Sequence, residues 1–297
     1  MYRLLATDVD DTILAPDGSL PRINHDALLD LHHRGIVVVL SSGRPTISLR
    51  QMAYQIGDPD DTEYLISFNG ARVTSAVSDT VVYERVLSQE AVLRVMEYAR
   101  PRGLFVQGYE PEGFLVEYED PRAEAYAASA KMSYRVVPDL AEALPNGSAK
   151  LLIIHDEEKI PPHQVALEEL AREPAPGGAP GNAPGNAAAG SKAGVLTDPA
   201  WVTTRSKKHY LEIVAPGVSK GTALRVLAEK LGIPIEETIA AGDSTNDREM
   251  LEAAGLGVAV ANAREELKAV ADVVLDRNAE EGSIAEIAER FFPGADV

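Results

Sequence analysis

The sequence predicts an α/β protein, a doubly wound and mostly parallel sheet interrupted by an inserted α+β domain. Three observations carry this. Ile36-Val37-Val38-Val39-Leu40 is a continuous apolar run without polar alternation, as expected of a parallel strand covered on both faces. Similar short runs alternate with amphipathic helical patterns at both ends of the chain, the rhythm of doubly wound folds. Between residues 81 and 209 that rhythm gives way to short strand-like pieces mixed with helices, a stretch of about 125 residues and so of ordinary domain size.

Leu4 to Val9 reads as a buried strand, followed by a helix over Ile23 to Gly35 with Asn24 as N-cap and Ala27, Leu28 and Leu31 facing inward. The adjacent His32 and His33 are ordinary positions of that helix, with no third metal ligand in view. After the Ile36–Leu40 strand, Ser41-Ser42-Gly43-Arg44-Pro45 breaks the run, with Pro45 suited to the first position of a second helix. Tyr64 to Phe68 is a third strand, ending at Asn69-Gly70. In the insertion, Val81–Val86, Leu104–Gly108, Phe114–Tyr118 and Lys150–His155 read as strands. Helices are expected over Gln89–Arg100, burying Val92, Val95, Met96 and Ala99, and over Pro162–Arg172. Residues 174–194 hold an Ala-Pro-Gly-Asn repeat with little side chain to bury, read as a flexible surface loop. From Tyr210–Val214 the α/β rhythm returns. A helix over Ser219–Leu231 carries Leu224, Leu227 and Leu231 on one face, and Thr238–Ala241 is a strand ending at Gly242-Asp243. A helix from Asn246 to Ala254, strands at Gly257–Val260 and Val273–Leu275, and a helix over Ile284–Phe292 complete the chain. The expected organisation is a discontinuous core, 1–80 and 210–297, around an inserted domain, 81–209.

Composition narrows the function. With 45% hydrophobic and 25% charged residues over 297 positions, the chain has the balance of a globular protein with a real core. A net charge of −18 argues against a general nucleic-acid binder, which needs a basic surface, and against docking on anionic membranes. Cysteine is absent, which excludes disulfides, thiol catalysis and thiolate metal sites. No apolar run approaches the ~20 residues of a membrane span, and Asp8 falls where a signal peptide would continue its apolar region. A cytoplasmic location is the expectation.

Ligands of open α/β sheets bind outside the carboxyl ends of the strands, and four polar groups fall at or just beyond such ends: Asp8-x-Asp10-x-Thr12, Ser41-Ser42-Gly43-Arg44, Lys220, and Gly242-Asp243-Ser244-Thr245-Asn246-Asp247. Taken singly, the first is an Asx-type turn, and Ser42, Asp243, Ser244 and Asp247 suit helix starts. Lys220 fits less well, because a cation in the first turn of a helix meets the wrong end of the dipole; an anion or carboxylate nearby would explain it. Taken together they form a chemical set. Asp8, Asp10, Asp243 and Asp247 offer the oxygen donors that a hard cation such as Mg²⁺ takes. Ser42, backbone N–H groups and Lys220 are suited to a phosphate. An aspartate attacking phosphorus needs a metal to cancel anion repulsion, and also a neighbouring proton carrier. Asp8 and Asp10, on one face by strand alternation, can divide that labour.

In this order the four motifs resemble those of the haloacid dehalogenase superfamily of phosphohydrolases. Asn69-Gly70-Ala71, the large insertion between the second and third motifs, and Ser219-Lys220-Gly221 resemble its Cof-type branch. The resemblance implies a Rossmann-like core with an inserted α+β cap that closes over the site, and a Mg²⁺-dependent phosphatase acting on a small phosphorylated metabolite, such as a sugar phosphate or a phosphorylated cofactor. Asp8 would be the nucleophile that becomes an aspartyl-phosphate. Asp10 would be the general acid/base, its backbone carbonyl also on the metal. Asp8 and Asp243 would supply metal-ligating carboxylates, with Asp247 close by in a supporting or water-mediated role. Ser42 and Lys220 would bind the phosphoryl group, and Asn246 would orient Lys220 or the phosphate. Gly43, Arg44 and Asn69 are further candidates, Arg44 as an ion-pair partner and Asn69 as a turn residue. Two alternatives share the same site: a phosphotransferase or mutase passing the group to a sugar hydroxyl, and a non-catalytic phospho-acceptor module, against which Asp10 argues.

Overall fold

The computed structural model describes residues 1–57, 63–111, 113–174, 199–205 and 207–293. The chain opens with five strands of one sheet, β1 (Leu4–Thr7), β2 (Val37–Ser41), β3 (Glu63–Ser67), β4 (Arg72–Ser75) and β5 (Val81–Glu84). A second sheet follows from β6 (Val106–Glu110), β7 (Gly113–Val116), β8 (Ser133–Val136), β9 (Leu151–Ile154), β10 (Val202–Thr204) and β11 (Tyr210–Val214). The chain then returns to the first sheet with β12 (Thr238–Gly242), β13 (Leu256–Ala259) and β14 (Val273–Val274).

Among the described residues the first sheet has eight strands in the order β14-β13-β12-β1-β2-β3-β4-β5. Its pairs are parallel from β14 through β3, and β3–β4 and β4–β5 are antiparallel. β1 therefore lies between β2, which follows it, and β12, which arrives from the far end of the chain. That reversal of strand order is a topological switch point, where the loops leaving neighbouring strands diverge and open a crevice. Leu4, Leu5 and Ala6 of β1 are buried with Val38, Val39, Ile239 and Ala240 in one core with the flanking helices.

The second sheet has the order β10-β11-β9-β6-β7-β8 and is antiparallel except for β7–β8. Its strands alternate between two apolar clusters, as the period of two requires. Leu151, Ile153, Leu211 and Ile213 join Val92, Val95, Met96 and Trp201 on one side, while Leu152 and Ile154 join Tyr109, Phe114 and Tyr126 on the other. Phe68 and Ala71, which follow β3, belong to the latter cluster, so that face is turned toward the first sheet.

Two strands lie across the expected boundaries. β5, read from sequence as part of the insertion, extends the first sheet through its hairpin with β4. β11, read as part of the returning core, pairs with β9 and β10 in the second sheet. The 174–194 loop expectation falls, apart from its first residue, outside the described residues. Asn24 is not an N-cap: the helix Arg22–His33 starts two residues earlier, with Pro21 at the N-cap position and no side-chain cap there. Fully buried Asn24 instead donates to Ile13 O (3.1 Å) and Ala279 O (2.8 Å) and accepts from Ile284 N (3.0 Å). No helix among the described residues is long and apolar enough to cross a membrane.

Candidate active site

Three of the polar groups leave the carboxyl ends of β1, β2 and β12 around the switch point, and the fourth, Lys220, opens the helix that follows β11 of the second sheet. β1 stops at Thr7, and Asp8 N donates to Ala241 O of β12 at 2.8 Å, keeping Asp8 against the sheet end. The chain then turns; Asp11 takes φ +59°. Ser42 follows β2, and its hydroxyl accepts from Arg44 N at 3.2 Å. After β3 the backbone of Asn69 takes φ +57° and that of Gly70 φ +99°. Gly70 is required twice over there, since a Cβ would lie 2.1 Å from Ser219 O. That close approach seats the β3 turn against the start of the helix Lys220–Leu231, whose N-cap Ser219 accepts from Thr222 N at 3.1 Å. After β12, Ser244 and Asp247 form a reciprocal capping box.

Lys220 is fully buried, and its ammonium donates to Asp8 Oδ1 and, at 2.6 Å, to Asp247 Oδ1. These two carboxylates explain a cation at the first position of a helix. Asp247 Oδ2 accepts from the backbone N–H of Asp243 (3.1 Å) and Ser244 (3.0 Å), so both oxygens of this residue are already engaged. Asp8, Asp243 and Asp247 bring carboxylate oxygens within 4.8 Å of one another, a donor set that suits a hard divalent cation. Thr12 supports it, its hydroxyl donating to Asp243 Oδ1 at 3.3 Å.

The electrostatics follow from burial. Desolvation raises the Asp8 carboxyl well above the usual range, opposed by Lys220 and reinforced by Asp247 and Asp243. Asp243 is pushed up to about 7 by burial and by the charges of Asp247 and Asp11. Burial alone would lower Lys220, but Asp247 and Asp8 outweigh it and hold the ammonium above the ordinary lysine value.

Above this cluster lies a cavity of about 510 Å³. Asp8, Asp10, Ser42, Arg44, Asp243 and Asn246 line it from the loops after the first sheet's strands, Lys150, Tyr210 and Glu212 from the second sheet and its edge, and Tyr126 from the helix Pro121–Ala130. The sequence-predicted residues thus converge, with differences in placement. Strand alternation does not hold Asp8 and Asp10 together, because β1 ends before them. Asp8 is buried, whereas the Asp10 carboxylate lies outside the metal-suited group, half exposed and paired through both oxygens with Arg44. Asn246 donates to Asn69 Oδ1 at 3.1 Å, and both partners of Lys220 are carboxylates. Gly43 packs under Asn69, where a Cβ would lie 3.1 Å from its amide atoms.

Lys150 and Glu212 were missed by sequence reasoning. Their signal, a charged residue within or beside an apolar strand, is also what a solvent-facing strand position gives.

The family described as haloacid dehalogenase-like hydrolase matches residues 5–287. Among curated proteins, the chain is 29% identical over 269 residues to the HMP-PP phosphatase of Cronobacter sakazakii, covering 91% of this chain and 88% of that one. It is 29% identical over 294 residues to the phosphatase YwpJ of Bacillus subtilis, covering 94% and 96%. Among solved structures, a haloacid dehalogenase-like hydrolase from Bacteroides thetaiotaomicron superposes with a TM-score of 0.80 at 29% identity, covering 98% of this chain and all of that one.

Proposed function

The chain belongs to the haloacid dehalogenase-like hydrolases and is a phosphatase of their Cof type, and from that premise we propose that it hydrolyses a small phosphorylated metabolite with Mg²⁺ as cofactor. The observation that carries this is the cluster of buried Asp8, Asp247 and Lys220 with partly buried Asp243 beneath the cavity. Phosphatase activity in the relatives of Cronobacter sakazakii and Bacillus subtilis supports the same reading.

Asp8 is the nucleophile in this reading. Its free oxygen attacks phosphorus and the bond to the leaving oxygen breaks, giving an aspartyl-phosphate. Asp10, released from Arg44, gives its proton to the leaving oxygen. It then takes one from the water that attacks phosphorus, which frees inorganic phosphate and regenerates Asp8. Ser42 and Asn246 hold the phosphoryl oxygens. Lys220 acts from below, fixing Asp8 and Asp247 and offsetting their charge. Asp8 and Asp243, with the Asp10 carbonyl, would hold Mg²⁺, and Asp247, which accepts from the backbone N–H of Asp243 and Ser244, would back them. The metal supplies positive charge that lets an anionic nucleophile approach an anionic phosphate. The second sheet, with the helices around it, serves as a cap that excludes water and contacts the leaving group through Tyr126 and Tyr210.

The test is release of inorganic phosphate from a panel of phosphorylated metabolites with Mg²⁺, then with EDTA, for the wild type and Asp8→Asn. Turnover should require metal and disappear in Asp8→Asn while the circular dichroism spectrum is unchanged. Metal-dependent turnover surviving in that variant would remove Asp8 as nucleophile, and an isomeric phosphate ester in place of inorganic phosphate would make the enzyme a mutase.

A further inference from the structure

Lys150 and Glu212 form an ion pair between β9 and β11 on the face of the second sheet turned toward the first. The Lys150 ammonium donates to Glu212 Oε1 at 2.9 Å, with the two side chains only 2% and 3% exposed. A pair this buried is poor at stabilising a fold, because desolvation consumes most of its attraction, so an apolar pair would serve stability as well. Its contacts lie across the gap between the sheets. Lys150 also donates to Gly43 O at 3.3 Å, one residue from Ser42. Glu212 Oε2 accepts from Asn69 Nδ2 at 3.2 Å, and Asn69 Oδ1 accepts from Asn246 Nδ2 at 3.1 Å. One hydrogen-bonded path therefore runs from the second sheet to the loops after β2, β3 and β12. Those loops are joined to one another by backbone bonds from Asn69 N to Ser42 O and from Phe68 N to Arg44 O, each 3.0 Å.

We propose that Lys150 and Glu212 are positioning residues of the phosphatase. They set the height of the second sheet over the cavity and, through Gly43 and Asn69, the placement of Ser42 and Asn246 against the phosphoryl group. The charges are needed because each group must reach two partners across a gap that apolar side chains would leave unbridged. This inference rests on the phosphatase reading for its kinetic effect.

The test uses the full chain and four variants: Lys150→Met, Glu212→Gln, the double variant, and Asn69→Ala. Each single ion-pair variant should lower kcat by ~10-fold, as misplacement of reacting groups does, and should lower Tm because one buried charge is left unpaired. The double variant leaves no unpaired charge, so Tm should recover while kcat stays ~10-fold low. Asn69→Ala, which leaves the ion pair in place, should reproduce the loss of kcat with a smaller fall in Tm than the single ion-pair variants, since Glu212 loses one donor and Ala is strained at φ +57°. Recovery of kcat together with Tm in the double variant would overturn the proposal, as would wild-type kcat in Asn69→Ala. Hydrogen exchange at the Phe68 and Asn69 amides needs no turnover: it should quicken in the double variant, and unchanged exchange there overturns the proposal too. If the wild type releases no phosphate from any substrate, it is the phosphatase reading that fails, and the exchange measurement still decides this one.

Discussion

Lys220→Met tests the charge balance of the site most directly. The substitution keeps the length of the buried stem and removes the ammonium that bridges Asp8 and Asp247, all three groups being 8% exposed or less. Breaking a buried ion pair from one side costs about 3–5 kcal/mol. The lower end applies here at neutral pH, because the Asp8 carboxyl is already raised by burial and can take up a proton when its counter-charge is lost. At ~2–4 °C per kcal/mol for a unit of this size, Tm in EDTA should fall by ~6–12 °C. The sign of the pH dependence is fixed. In the wild type the Lys220 pKa is raised above its unfolded value, so its contribution is complete below that value and is lost only as pH rises through the still higher folded one. In the variant the Asp8 carboxyl, already raised by burial, loses the ammonium that lowers it, so the folded state binds more protons than the unfolded and stability drops as pH rises. The gap between the two proteins should therefore widen as pH rises. Thermal unfolding by circular dichroism in EDTA at several pH values measures it. A variant that unfolds within ~1 kcal/mol of the wild type at pH 7, or a gap that narrows as pH rises, refutes the bridging role.

Three further outcomes follow from other parts of the fold. Asp10→Asn should reduce kcat by ~10²–10⁴-fold with the fold unchanged, and steady-state rates near wild type would remove it from proton transfer. The Asp243 carboxyl, held at about 7, must lose its proton when a cation binds. Mg²⁺ affinity by titration calorimetry should therefore climb as pH rises through about 7, and a flat profile would contradict the cluster's electrostatics. Being raised, the same carboxyl makes the metal-free protein lose stability as pH rises from the ordinary 3.8 toward about 7. Asn24→Ala should cost about 3 kcal/mol or more in urea unfolding, since Ile13 O, Ala279 O and Ile284 N would each lose a buried partner; a cost under ~1 kcal/mol would mean that water replaces the amide.

What the sequence reveals depends on the range of the interaction. Apolar runs such as Ile36–Leu40 mark parallel strands because burial on both faces leaves no room for polar alternation. The polar groups ending those runs mark the site because a parallel sheet places its strand ends together. Even Lys220 is legible: a cation at the wrong end of a helix dipole implies a counter-charge, which the structure supplies as Asp8 and Asp247. Asn24 is not legible. Its residue type fits a local cap, but its partners at Ala279 and Ile284 lie 255 and 260 positions away. Lys150 and Glu212 fail for the same reason. The period of two says which side chains share a face of β11, whereas only the stacking of the two sheets says that this face is covered. The boundaries at 81 and 210 slip because β5 and β11 join their sheets through neighbours rather than through any change of composition.

The raised acids and the raised lysine of the site both follow from gathering charges away from water: burial raises the acids, and the carboxylates raise the lysine against burial. Three carboxylates and one ammonium within a buried cluster leave an excess of two negative charges when all are ionised. Water cannot screen that excess, so it must be met by protons or by a cation. Without metal the cluster takes the first course: burial first, and the neighbouring carboxylates after it, shift both Asp8 and Asp243 upward. In the proposed reading a divalent ion would cancel the same excess and free those carboxylates to ionise, which is the state a nucleophilic Asp8 would require. Lys220 cannot take that part. It is bound from beneath by Asp8 and Asp247 and fully buried, so its charge is spent on the ground state of the carboxylates, and the cavity side of the cluster is left for a cation that arrives from solvent.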